Sequence, residues 1–450
     1  MRIPRLLLPV ALAAVPAAAS GAAPPDGGAG PTFTLGLDAM AAATAVEQDT
    51  LPSPPAVFSR MASAGYLATY LELEAMAAAH PDAPPQWRGL LDELRGWTRA
   101  MLGDEQGALA LEPGAPPRAA LPEGFDDLLP VPAVPEIIEA ARSRRLVIVN
   151  EAHHVARGRA LTYELLQGLH DQGYRYLAVE AVSRRRADAL AERGHPDLST
   201  GTYTREPVFG DLLRRALEIG YTVVAYDTFP TGCRPTAEDP NRCTTLRDSL
   251  GAAAVHEQTF ARDPEARVLM HVGYSHVVPE PRQGGARWLA YWMRERGVAP
   301  LTVEQTEMRE RADPAHEPAE YRRAEALGWL TGPVVLRRPE GGWYRSPAGG
   351  FGSVEMQVFT PRARRVAGRP DWLFSLGRVP VPVPETALPC GGEPYLVQAL
   401  VAGEAADAVP ADQLLVGGDD AVALALRPGR YEVRVVGAEG EIDRTEVSVP

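Results

Sequence analysis

Four short apolar runs in the middle of the chain constrain its fold more than any other feature. They are Leu146-Val147-Ile148-Val149, Tyr176-Leu177-Ala178-Val179, Thr222-Val223-Val224-Ala225-Tyr226 and Arg267-Val268-Leu269-Met270. Each passes directly into residues that ligate metals or move protons. These are Asn150-Glu151-Ala152-His153-His154, then Glu180, then Asp227, then His271-Val272-Gly273-Tyr274-Ser275-His276. Amphipathic segments lie between and after the runs. Arg159–Gln172 carries Leu161, Leu165, Leu166 and Leu169 at helical spacing, with Gly173 as its stop signal. Gly210–Glu218, Leu246–Ala261 and Arg287–Arg296 read as further helices, followed by a strand at Leu301-Thr302-Val303 and another at Glu355–Phe359. Strands alternating with helices predict an α/β fold, a mostly parallel sheet with helices on both faces. In such a sheet ligands bind in the crevice outside the carboxyl ends of the strands. The polar residues that end the runs therefore converge on one candidate site.

The flanks differ in character. Arg2 and Arg5, the apolar stretch Leu6–Ala14 and the small residues Ala17-Ala18-Ala19 predict a signal peptide over residues 1–22. A secreted or periplasmic location follows as an expectation. The apolar stretch is too short for a transmembrane helix, so the chain is not expected to span a membrane. Residues 23–32 form a Gly/Pro/Ala linker, 33–112 carry helical periodicity, and 113–135 are a Pro-rich linker. The α/β region is expected over 136–379. Residues 380–450 are expected to form a small antiparallel β domain, with strands at Tyr395–Val401, Ala421–Leu426, Tyr431–Val436 and Thr445–Val449. Of three cysteines, Cys233 and Cys243 are the easiest pair and Cys390 is left over.

Composition removes some chemistry. The formal charge of -13 argues against nucleic acid as a partner, because phosphate binding needs a basic footprint. Every basic residue is Arg. Without lysine there is no Schiff-base chemistry and no phosphate-loop lysine.

Asn150-Glu151-Ala152-His153, Glu180 after Leu177-Ala178-Val179, and Gly273-Tyr274-Ser275-His276 stand in the order of a known signature. The chain here resembles the superfamily of erythromycin esterases, ChaN-like haem-binding lipoproteins and Tiki/TraB proteins. That signature is a G-x-x-H after the first strand, a Glu ending the second, and a G-x-x-H after a later strand. Asn150 stands where the family has Gly, and His153 and His154 match two variants of the first histidine. Arg247-Asp248 also resembles an Arg-acid pair of the family. The resemblance covers about Ile137 to Phe359. It implies either hydrolysis of an ester or amide by an activated water, possible with a metal, or haem binding without catalysis.

The chemistry of the residue types is consistent with this. Glu151, His153, His154, Glu180 and His276 are the candidate catalytic residues, with His153, His154, Glu180 and His276 as candidate ligands of manganese, cobalt or zinc. Haem is the alternative cofactor, with His153, His154 or Tyr274 as axial ligand. A small molecule, a peptide or haem is the expected ligand. Plainer readings stand beside these. Glu180 is also a suitable helix cap, Asp227 a turn residue or a support for a ligand, and His271 a core histidine. His170, His195, His256 and His316 read as surface residues. Ser275 resembles a nucleophile elbow whose closing Gly is missing. Arg157 and Arg159 read as a solvated helical turn or an anion site, and Arg184-Arg185-Arg186 as a solvated face.

Overall fold

The computed structural model describes residues 54–112, 121–182, 184–228, 230–282, 285–347, 350–383, 393–417 and 423–450. The expected signal peptide, the linker that follows it, and Cys390 lie outside the described residues. Four helices come first: α1 (Pro54–Ala64), α2 (Tyr66–Ala79), α3 (Pro85–Met101) and α4 (Glu105–Ala110). Leu90, Leu94, Trp97 and Met101 form the buried stripe of α3 and pack on Met61, Leu67 and Leu73.

An eight-stranded sheet forms the centre. Its order from edge to edge is β1 (Leu129–Pro132), β7 (Val334–Arg337), β8 (Met356–Phe359), β6 (Leu301–Glu304), β2 (Leu146–Glu151), β5 (Val268–Gly273), β3 (Tyr176–Val179) and β4 (Thr222–Ala225). The strands from β8 to β4 pair in parallel, while β7 and β1 are antiparallel additions. The expected α/β architecture is present, and β1 extends it. Leu129-Pro130-Val131-Pro132 falls within the stretch expected to be a linker, yet it forms an edge strand. Proline is tolerated there because an edge leaves one row of backbone groups without ladder partners.

Successive residues of the central strands enter opposite layers, as the pleat requires. Val147, Val149, Leu177, Val179 and Leu269 face α5 (Ala133–Ala141), α6 (Arg157–Asp171), α7 (Arg184–Arg193) and α8 (Pro207–Ile219), through Ile137, Leu165, Leu190 and Phe209. Ile148, Ala178, Met270 and Val272 face α9 (Arg242–Gln258) and α10 (Leu289–Glu295), through Val255, Leu289 and Met293. Helix α11 (Ala319–Ala326) packs Tyr321 and Ala324 on Leu336 and Phe359. No described helix is long and apolar enough to cross a membrane.

The C-terminal residues form a four-stranded antiparallel sheet, ordered 412–416, 395–401, 429–437 and 440–449, and a two-stranded pair of 379–382 with 423–426. These sheets are joined closely to the rest. The backbone N–H of Leu415 donates to Leu102 O at 2.8 Å, and Leu396 enters the core of the N-terminal helices. Buried Asp211 on α8 accepts from Arg378 and from Arg427, each at 3.0 Å. Removing one partner of a buried pair leaves the other charge uncompensated. Asp211→Ala is therefore expected to lower the unfolding free energy by about 3–5 kcal/mol. Urea denaturation followed by far-ultraviolet circular dichroism should show one transition at lower urea. Two separated transitions would mean that the C-terminal sheets unfold on their own.

Candidate active site

The register of the parallel strands brings the polar ends together. Glu151 pairs with Gly273 across β2 and β5, and Val179 pairs with His271 across β3 and β5. Glu151, Glu180 and Gly273 therefore stand at nearly the same height on three adjacent strands.

Glu151 is almost fully buried and sits at the centre of a charged cluster. Arg159, from the first turns of α6, donates through Nη2 to Glu151 Oε1 at 3.1 Å and to His153 O at 2.9 Å. Its Nε lies 2.7 Å from Glu151 Oε2, and its Nη1 donates to Glu206 at 3.2 Å. His271 Nε2 lies 3.1 Å from Glu151 Oε2, while its Nδ1 shares a hydrogen bond with Thr162 Oγ1 at 2.9 Å. Burial by itself would favour the neutral acid. The charges of Arg159 and His271 outweigh it and hold the Glu151 carboxyl well below the usual carboxylate range. The resulting anion fixes His153, whose Nδ1 lies 2.9 Å from Glu151 Oε1. A carboxylate accepts and does not donate, so Nδ1 carries a proton toward Glu151 and Nε2 is the other end of the ring.

The free edge of His153 faces Gly273 and Glu180. A methyl group on Gly273 would lie 2.5 Å from His153 Cε1, 2.7 Å from Nε2 and 2.9 Å from Glu180 Oε2. Only glycine leaves room for that approach. Tyr203 stacks on the ring of His153, with ring centroids 3.6 Å apart, and Trp97 and Tyr274 meet it edge-on. Helix α3 thus closes over the crevice, with Trp97 on His153 and Gly96 beside the Cβ of His154.

Glu180 accepts from Arg247 Nη2 at 2.7 Å and from the Gly273 backbone N–H at 2.5 Å. Arg247 also binds both oxygens of Asp227, each at 2.8 Å. Burial works against charge on Glu180, but His276, Arg247 and His153 outweigh it and lower its pKa to about 2. His276 mirrors His153. Its Nδ1 lies 2.7 Å from Asp248 Oδ2, and its Nε2 lies 3.8 Å from Glu180 Oε1. Burial opposes protonation of His276, yet Asp248 and Glu180 prevail and raise its pKa above the ordinary histidine value. Glu180, Tyr226, Asp227, Arg247, Asp248 and His276 line a small cavity on this side.

His154 belongs to a different network. Its Nδ1 meets the Tyr274 hydroxyl at 3.3 Å, and its Nε2 lies 3.7 Å from Glu112, which is paired with Arg309 and Arg311. Burial lowers the pKa of His154 against the pull of Glu112. The four expected metal ligands therefore do not gather at one point. Among the described residues, no three His, Cys, Asp or Glu side chains are grouped as a bound ion requires.

The expectation of a solvated Arg159 is corrected: its side chain is 1% exposed and holds Glu151. Arg157 is half-buried and donates to Pro361 O. Asn150 has a role that its departure from glycine did not reveal. Fully buried, it donates to Tyr274 O at 2.8 Å and accepts from Gln305 N at 2.9 Å, tying β2 to the ends of β5 and β6. The residues after Glu180 and Gly273 are strained: Ala181 has φ 68° and Tyr274 φ 36°. Cys233 and Cys243 form a disulfide beside the Asp227–Arg247 pair. Trp97, Tyr203 and Glu206 were not identified from sequence, since no local pattern marks a residue that reaches the site from another element.

Gly273→Ala is expected to keep the fold but displace His153 or Glu180, costing about 1–3 kcal/mol. Thermal melting and the imidazole NMR signals of His153 would show it; unchanged signals would mean the close approach does not exist. A depressed pKa makes a group stabilising above its unfolded value. The contribution of Glu180 should thus be complete above pH 4.5 and decline as pH falls toward about 2. Glu180→Gln should flatten that part of a stability-versus-pH curve, measured by urea unfolding.

No family model matches the chain, and neither does any curated protein. Among solved structures, the type III effector HopBA1 is similar over 46% of this chain and 94% of its own, at 16% identity and a TM-score of 0.30. RRSP, a MARTX toxin effector domain from Vibrio vulnificus CMCP6, is similar over 50% of each chain, at 14% identity and a TM-score of 0.26. At such TM-scores neither likeness says anything about fold or activity.

Proposed function

We propose that this chain is a hydrolase of the erythromycin esterase/ChaN/Tiki type that cleaves an ester or amide by an activated water. One observation carries the reading: two imidazoles, each bound at Nδ1 by a buried carboxylate, stand on either side of Glu180. His153 is the general base. Its Nε2 takes a proton from water as the water oxygen bonds to the carbonyl carbon, and Glu151 stabilises the imidazolium that forms. His276 is the general acid. Asp248 and Glu180 favour its protonated form, so Nε2–H donates to the oxygen or nitrogen that leaves when the acyl bond breaks. Glu180 stays ionised and positions water and His276, anchored by Arg247 and the Gly273 N–H. No step of this route requires a metal.

A secreted or periplasmic hydrolase remains part of this proposal. No observation favours the haem reading over it.

His153→Ala and His276→Ala are each expected to lower ester hydrolysis by about 100- to 10,000-fold, measured with a panel of p-nitrophenyl esters and peptides. Activity should fall as pH rises through the raised pKa of His276, and His276→Gln should abolish that alkaline limb. Dialysis against EDTA should leave turnover intact. Loss on chelation with recovery in manganese, cobalt or zinc would restore the metal reading. A Soret band on purified protein, lost on His153 substitution, would favour haem binding.

A further inference from the structure

A second cavity lies at the carboxyl ends of β2, β6 and β8, on the far side of β2 from Glu180 and His276. Its volume is about 460 Å³ with the opening to solvent included. Ala152 after β2, Thr306 after β6 and Thr360 after β8 border it, and α4 closes it with Glu105 and Leu109. Five charged side chains stand in its wall: Glu105, Glu151, Arg157, Arg309 and Glu310. Three of them are occupied. Glu151 is held by Arg159 and Arg309 by Glu112, while Glu310 accepts from Ala363 N at 3.0 Å and lies 3.8 Å from Arg362. The other two, Arg157 and Glu105, have opposite charges, and neither makes an ion pair among the described residues.

Arg157 is the first residue of α6. Its Nη1 donates to Pro361 O, which leaves the other N–H groups of the guanidinium for a ligand. Ala156 before it supplies no side-chain cap, so the positive end of the helix lies at the same wall, where Gly158 also borders the cavity. Glu105 is 8% exposed. Its Oε1 accepts from Trp372 Nε1 at 3.0 Å, but its buried Oε2 has no hydrogen-bond partner among the described residues. A buried oxygen left unmatched costs free energy, and a ligand donor would remove that cost. Burial, reinforced by Glu310 and opposed by Arg157, pushes Glu105 up to about 7. Guanidinium and carboxyl thus feel each other's charge across the cavity without pairing. A plain anion would suit Arg157 and be repelled by the acids, and a plain cation would meet the converse. A molecule that carries both charges close together suits both groups.

We propose that this cavity is a second ligand site, which takes a small α-amino acid. The carboxylate binds Arg157 and the first turn of α6, the ammonium binds Glu105 Oε2, and the side chain rests against Leu109 and Val155. The site stands apart from the hydrolase reading, since its lining includes none of His153, Glu180 and His276. It gives the N-terminal helices a function, because α4 supplies one half of the recognition and the α/β region the other.

The test compares L-alanine with propionate, which lacks the ammonium, and with ethylammonium, which lacks the carboxylate, by isothermal titration calorimetry on the full chain. The wild type is expected to bind L-alanine about tenfold more tightly than either, since each half forgoes a hydrogen bond to a charged group. Arg157→Gln should erase the preference over ethylammonium, and Glu105→Gln the preference over propionate. A merely structural role for these residues would not divide the two losses in this way. Arg157→Lys should retain part of the preference, and melting curves establish that each variant is folded. Should Glu105→Gln fail to fold, Arg157→Gln decides alone, because Arg157 is only half-buried. A wild type that binds L-alanine no more tightly than its two halves, or binds none of the three, overturns the proposal. So does an Arg157→Gln variant that keeps the preference over ethylammonium.

Discussion

Glu151 ends a central strand where almost no water reaches it, and an ionised carboxylate there is tolerable only because Arg159, His271 and His153 surround it. The desolvation cost of such a group amounts to several kcal/mol and is offset only by close, well-directed partners. Those partners come from three elements. His153 follows β2, Arg159 opens α6, and His271 lies within β5. Arg159 in turn binds Glu206, whose side chain caps α8 by accepting from Val208 N and Phe209 N. One charged cluster thus fixes the tautomer of His153 and the entry of two helices.

Around that cluster the charges are arranged as repeated acid–imidazole and acid–guanidinium units. Glu151 holds His153, Asp248 holds His276, and Arg247 joins Glu180 to Asp227. Each carboxylate orients a neighbour in a place where water cannot, so the cost of burial is returned as a defined direction for each Nε2. Gly273 makes the central approach possible, because any side chain would enter the space of His153 and Glu180. The backbone strain at Ala181 and Tyr274 lies at the same two strand ends, where the surrounding contacts over-determine the conformation. The N-terminal helices and C-terminal sheets complete the enclosure. Trp97 covers His153, and the C-terminal sheets hold α3 and α8 in place through Leu102 and Asp211.

Much of the central fold was legible in the chain. The short apolar runs at Leu146, Tyr176, Thr222 and Val268 form strands, and the leucines of 161–169 face the sheet. These signals are local, set by period and by glycine stops. Glu151, His153, Glu180 and His276 come together because all of them follow strands of one parallel sheet. His154 shows the limit of that reasoning. It neighbours His153 in sequence, but the turn after β2 sends it to Glu112 and Tyr274 instead. The edge strand Leu129–Pro132 was hidden for a similar reason, since its prolines read locally as a linker and only pairing with β7 reveals it.

The sequence by itself determined the kinds of element and the chemistry available at their ends. Periodicity, glycines and the absence of lysine are properties of neighbouring residues and of composition, and they need no knowledge of distant contacts. The tertiary structure alone decided which ionisable groups became partners. Arg159 reads as a surface residue until α6 packs it on Glu151 and Glu206, and Asp248 gains its place only when α9 brings it within 2.7 Å of His276. Charge pairing in a buried site depends on distance and desolvation, and both are set by packing among elements far apart in the chain.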